Sequence, residues 1–319
     1  PGSPPPVPET PTPKPYEEVI TEEAVTQVGL FTVHRVGTKY YFELAPEILN
    51  KDLIWYAEFA EAPYGVAVNP KALGNRIVRW QRVNNKIEVR DMTGSLRLRP
   101  DYAVASAQTT PQPEDLALAT VTFPAILYSF PVAAESEDGS AVIDISAFFA
   151  SNILDFDVTT VLKAAGYMAA APDPLRSRVE RIGAFPKNLL VHALLTFPIA
   201  SGPSSAASIV VAHSLVMLPE KPMLPRRYDP RVGYFTTDFG VVDADDEPGI
   251  VSERFISRFR LEKQEPEAEV ADPIRPIVFY LPPEIPKKWR PYVRQGVEDW
   301  QPAFEAAGFS NAILAEDAP

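Results

Sequence analysis

Three histidines, His34, His192 and His213, are the side chains best able to bind a metal or move a proton near neutral pH, and the sequence has no others. A zinc site built from them needs three imidazoles converging in space, each oriented by a second hydrogen-bonded group. None is paired along the chain at HExxH or HxH spacing, and each lies within a strand-like run. They therefore read as three separate sheet histidines, with His213 in VVAHSLVMLPEKPM best placed for a structural hydrogen bond. Cysteine is absent, which removes thiol catalysis, thiolate-bound zinc and disulfides while leaving the compartment open.

Two polar runs come next. DFGVVDADDEPG gathers Asp238, Asp243, Asp245, Asp246 and Glu247, a set of oxygens suited to a hard cation. It lacks the glycine and the later glutamate of the twelve-residue calcium loop, so a solvated acidic loop is the better reading. PRRYDPRVGYF places Arg226, Arg227, Asp229 and Arg231 beside Tyr228, Tyr234 and Phe235. Arginine forks among aromatics can grip carboxylates or a partner peptide. The competing reading, favoured here, is an ordered proline-rich crossing whose arginines pair with local acids. No G-x-S-x-G, phosphate-binding glycine loop or dinucleotide fingerprint is present. The chain by itself is expected to hold no catalytic residue, no metal and no cofactor.

These residues sit in a chain of 319 amino acids with a formal charge of −12, long enough for about two domains. Such acidity disfavours nucleic acid as a partner, since phosphate contacts need clustered Lys and Arg. No run of eighteen apolar residues is available to span a membrane. Proline is abundant, at 35 residues. The opening PGSPPPVPETPTPKP reads as a polyproline-type tether over residues 1–15, its Pro1-Gly2-Ser3 resembling a cloning remnant.

Residues 16–262 read mainly as short strands between turn signals, which predicts a mainly β architecture, a sandwich or open barrel-like sheets. GLFTVHRVGTKYYFEL suggests a hairpin about Gly37-Thr38, and Asn84-Asn85 a tight turn between NRIVRWQRV and KIEVRDM. TVTFPAILYSF, AVIDIS, LLVHALLTF, SIVVAHSLVML and SERFISRFRLE are further strand candidates. PEILNKD reads as a single turn, and TTVLKAAGYMAAA as a helix.

The character changes after an acidic linker at 263–274. Residues 275–319 open with RPIVFYL, a strand-length apolar run, and continue into a segment where Trp289, Val293, Val297, Trp300 and Phe304 recur at three- and four-residue spacing. That spacing forms one face of an amphipathic helix, with Gly308 as its stop and Pro302 kinking its last turn. One strand and one helix cannot enclose a core, so these five side chains are expected to form an interface with something outside the pair.

GLFTVHRVGTKYYFEL, HSLVMLPEKPMLPRRYDPRVGYF and the stretch from RFRLEKQEPEAEVADP to the end resemble bacterial zinc-dependent metalloproteases of the met-zincin type, whose N-terminal half consists of domains of unknown function. The resemblance covers nearly all the chain beyond the tether. It implies that residues 275–319 are the truncated start of an α/β metzincin-like peptidase domain. The zinc-binding HExxHxxGxxH helix would lie downstream, so no catalytic or zinc-ligating role transfers to any residue here. The implied parent is a secreted or periplasmic zinc peptidase acting on peptide or protein substrates. Its downstream catalytic portion, continuous or as a nicked companion chain, would be the partner of this one. Two alternatives stand beside it: a free-standing β-rich module binding peptide or glycan, and a propeptide-like inhibitory segment.

Overall fold

The computed structural model describes residues 11–66, 71–93, 97–98, 123–243 and 249–318. Pro1-Gly2-Ser3, most of the tether, and Asp245, Asp246 and Glu247 lie outside the described residues. The chain divides into two compact units, Pro1–Pro222 with Gly240–Val251, and Met223–Phe239 with Ser252–Pro319.

The first unit opens with α1 (Tyr16–Val19), then β1 (Val25–Gln27), β2 (Thr32–Val36) and β3 (Lys39–Leu44). β4 (Asp52–Glu61), β5 (Lys71–Val83), β6 (Lys86–Asp91), β7 (Arg97–Leu98) and β8 (Ile126–Pro131) follow. After β9 (Ala134–Glu135) and β10 (Ala141–Asp144) come α2 (Ser146–Phe149), a 3₁₀ turn at Leu154–Phe156 and α3 (Val158–Ala164). β11 (Met168–Ala169), β12 (Arg178–Phe185), β13 (Asn188–Ser201) and β14 (Ala206–Met217) complete it.

The architecture is mainly β. One antiparallel sheet runs β1-β2-β3-β10-β9, and a larger one runs β11-β13-β14-β4-β5-β6-β8 with β12 also on β13. The turn signals are met: Gly37 (φ 59°) joins β2 to β3, and Asn84 (φ 54°) joins β5 to β6. Along β4 the alternate residues Leu53, Trp55, Ala57 and Phe59 are buried, as a sheet with one face on a core requires. Both sheets supply one core. Phe31 and Phe42 lie 5.4 and 6.5 Å from Trp80, ring centre to ring centre, and Trp55 lies 4.9 Å from Phe156. Each such side chain contributes roughly 1.5–3 kcal/mol through burial.

Two expectations need correction, and one strand has no local signal in the sequence. The helix expected over TTVLKAAGYMAAA ends at Ala164, because Gly166 turns to φ 85° and Met168–Ala169 leaves to pair with β13. In SERFISRFRLE the strand stops at Ile256. β12 went unread because RVERIGAF carries charges where a half-buried strand would show apolar alternation.

The second unit takes in the end regions of β15 (Thr236–Asp243) and β16 (Gly249–Ile256), which are neighbours in a three-stranded sheet with β7. Its C-terminal part holds β17 (Ile277–Leu281), α4 (Arg290–Glu298), α5 (Gln301–Ala306) and β18 (Ile313–Asp317). β17 and β18 pair in parallel from Ile277–Ile313 to Leu281–Asp317. The expected single strand and single helix are thus a strand, two helices and a second strand. Pro302 occupies the first turn of a new helix, where its missing N–H costs nothing, instead of kinking the end of a longer one. ILAED was unread because two of its five residues are acids, and only pairing with β17 makes it a strand. The acidic stretch 263–274 folds back on itself, with Lys263 Nζ donating to the carbonyls of Ala268 and Glu269 at 2.8 and 2.9 Å. Ala271 N and Ser310 N exchange hydrogen bonds with the Gly308 and Ala271 carbonyls.

Candidate functional site

The strand–helix–helix–strand of residues 277–317 has an inside and an outside that the apolar spacing alone does not give. Its half-buried helical positions are Arg290, Arg294, Val297, Gln301 and Phe304. Three of these are polar and are bonded to the strand pair or its flanking turns. Arg290 donates to Asp317 (2.5 Å) and to the Pro282 and Ile285 carbonyls. Arg294 donates to the Ala315 carbonyl, and the Gln301 side chain accepts from Ala312 N and Ile313 N at 3.1 and 3.3 Å. The helices therefore meet β18 through arginine forks and an amide.

The apolar stripe is left facing outward. Trp289 and Trp300, each at the entry of a helix, are 53% and 63% exposed, and Val293 and Tyr292 are exposed beside them. Trp289 and Tyr292 lie 6.0 Å apart, and Lys288 Nζ sits 5.2 Å from the Trp289 ring. Phe279 and Tyr280 of β17 are exposed as well. Of the five residues expected at an interface, Trp289, Val293 and Trp300 project to solvent, and Val297 and Phe304 are half-buried. The inward polar set was missed by sequence reading, although Arg290, Arg294, Val297 and Gln301 repeat at the same three- and four-residue spacing.

The histidines occupy three different environments. His34 is buried on β2, with Nδ1 2.8 Å from Thr26 Oγ1 and Nε2 2.7 Å from Glu43 Oε2, which also accepts from the Tyr16 hydroxyl. The hydrogen bonds from His34 and then Tyr16 outweigh burial and hold the Glu43 carboxyl below its usual value. His192 is half-buried on β13, 3.3 Å from the Arg181 guanidinium, and burial together with that cation lowers its pKa. His213 lies wholly inside an aromatic cage of Trp55, Phe149 and Phe156, and burial pushes its pKa down to about 3. Among the described residues no three His, Asp or Glu side chains converge to hold a metal ion. The side chain of Asp243 is likewise outside the described set, so of the acidic run only Asp238 is placed, 3.5 Å from Arg254.

The arginine-rich crossing is ordered against β16. Tyr228 N donates to the Arg254 carbonyl and Ile256 N to the Arg226 carbonyl, both at 2.9 Å. Arg227 pairs with Glu253 at 2.9 Å, and Arg231 closes on Asp229 through two nitrogens. Tyr234 is exposed. No helix among the described residues is long and apolar enough to cross a membrane.

Residues 71–264 match the profile described as domain of unknown function DUF5117, which is more than half of the chain. The chain belongs to the DUF5117 family. Residues 13–62 match a second profile, domain of unknown function DUF5118. No curated protein and no solved structure matches the chain. The DUF5117 match ends at Gln264, before β17, so the outward apolar stripe lies beyond both matched regions.

Proposed function

We propose that this chain is the non-catalytic N-terminal portion of a zinc-dependent peptidase, in which the DUF5118 and DUF5117 regions support a catalytic domain that opens with β17. The observation that carries this reading is the outward Trp289–Trp300 stripe on a parallel two-stranded ladder. Parallel sheets are found covered on both faces and seldom as isolated pairs, and exposed apolar patches of this kind mark interfaces. Further strands and helices of one larger α/β domain would cover the stripe and extend the ladder. The resemblance of the last sixty residues to met-zincin peptidases supplies the chemical class, peptide-bond hydrolysis by a metal-activated water.

Among the described residues the three histidines do not come together as a zinc site. His213 is caged by aromatic rings, His34 is committed to Glu43 and Thr26, and His192 faces an arginine. This reading places the metal on residues downstream of this chain and assigns no catalytic step within it. Secretion to the periplasm or beyond is part of the same reading.

The test is to read the coding sequence beyond Pro319 for an HExxHxxGxxH helix and to express the continuous polypeptide. Chelator-sensitive peptide hydrolysis restored by zinc is expected. Trp300→Asp should lower the yield of soluble active enzyme at least tenfold, because it sets a charge in a face that must be buried. A continuous polypeptide without chelator-sensitive hydrolysis would overturn the proposal.

A further inference from the structure

The arginine–aromatic platform of the second unit is separate in sequence from the Trp289–Trp300 stripe. Two stretches of backbone flank the end of β16: residues 226–228 bond to Arg254 and Ile256, and the Phe235 carbonyl accepts from Ser257 N at 2.7 Å. Arg258 reaches back to the Leu224 carbonyl at 2.8 Å. This arrangement leaves Leu224, Tyr234, Phe235 and Phe259 in solvent, Phe235 at 90% exposure. Exposed aromatics beside arginine are the composition that protein interfaces favour.

Charge says what kind of partner fits. The chain as a whole carries −12, yet residues 223–239 and 252–262 hold six arginines against four carboxylates. Asp229 is already closed by two nitrogens of Arg231, and Glu253 by Arg227. Arg226 has no side-chain partner among the described residues, and Arg254 lies over the Tyr228 ring with only a 3.5 Å contact to Asp238. One exposed guanidinium, Arg226, thus remains unpaired among the described residues, and a second, Arg254, is held by a 3.5 Å ion pair to the exposed Asp238 that an incoming carboxylate can compete for.

We propose that this platform docks an acidic, aromatic-bearing peptide segment of a partner protein. Its carboxylates meet Arg226 and Arg254, and its apolar side chains cover Phe235 and Phe259.

Fluorescence anisotropy on the full chain tests this, using a fluorescein-labelled peptide of alternating Glu and Phe and a Lys/Phe peptide as counterpart. The Glu/Phe peptide should bind, and more weakly as salt rises. The Lys/Phe peptide should not bind. Arg226→Glu combined with Arg254→Glu should cut affinity at least tenfold, and so should Phe235→Ser, whose exposed side chain can change without unfolding the chain. Equal binding of both peptides, no binding of either, or binding indifferent to these variants would overturn the proposal. So would equal binding of a DNA oligonucleotide, or a Phe235→Ser-sensitive dimer in sedimentation, since each names a different occupant.

Discussion

At His213 the imidazole sits among Trp55, Phe149 and Phe156, and burial, with a smaller contribution from His192, takes its pKa to about 3. The unfolded chain binds a proton there near 6.5, so between 6.5 and 3 the unfolded state holds a proton that the native state refuses. Stability is therefore lost as pH falls through that window, by an amount on the order of a few kcal/mol at its lower end. His213→Leu should flatten the fall of melting temperature between pH 7 and pH 4.5, followed by calorimetry, and an unchanged slope would show that another group controls it. Glu43 has the same sign for a different reason. Its pKa is depressed by His34 and Tyr16, so its contribution is complete above about 4.5 and disappears as pH falls through the lower folded value. Glu43→Gln should loosen the Tyr16–Gln27 segment, at a cost of about 1–3 kcal/mol, and hydrogen exchange of those amides is the readout. That each histidine lies on a strand was legible from the run around it. Their environments were not, because partners such as Glu43, Arg181 and Trp55 arrive through strand register.

Hairpins were legible where a turn residue and alternation agree, as at Gly37 and Asn84. Elements whose existence rests on a distant neighbour were not. β12 is a charged edge strand and β18 a short acidic one, and both exist because β13 and β17 pair with them. Gly29 shows a constraint that no local pattern announces. Leu30 N donates to the Phe185 carbonyl at 2.7 Å, and a Cβ on Gly29 would lie 2.6 Å from Phe185 N. The loop between β1 and β2 thus touches the end of β12 backbone to backbone. Gly29→Ala should cost about 1–3 kcal/mol by forcing the two apart, seen as a lower denaturation midpoint. At the other end, Gln301→Ala removes the acceptor for two amides at the start of β18. Faster exchange at Ala312 and Ile313, with the first unit unaffected, is the expected result.

On the scale of the whole molecule, the two matched families do not correspond to two folded bodies. The DUF5118 match ends at Ala62, just after β4, and the DUF5117 match begins at Lys71 with β5. Yet β4 lies in the interior of the larger sheet, paired with β14 on one side and β5 on the other. Trp55 of the first region packs on Phe156 of the second, and Phe31 and Phe42 of the first pack on Trp80 of the second. Composition and turn spacing made the mainly β character visible over residues 16–262, but nothing local says that strands from both regions share one core. Removing β1 to β4 would strip one layer of most of its strands and split the other, exposing backbone groups along two strand edges and the faces of Trp80 and Phe156. Residues 11–66 and 71–319 expressed separately should therefore each lack a cooperative thermal transition, whereas co-expression should yield a co-purifying pair with one. If residues 71–319 alone melt cooperatively and show no more dye-accessible apolar surface than the intact chain, the two regions are separate domains after all.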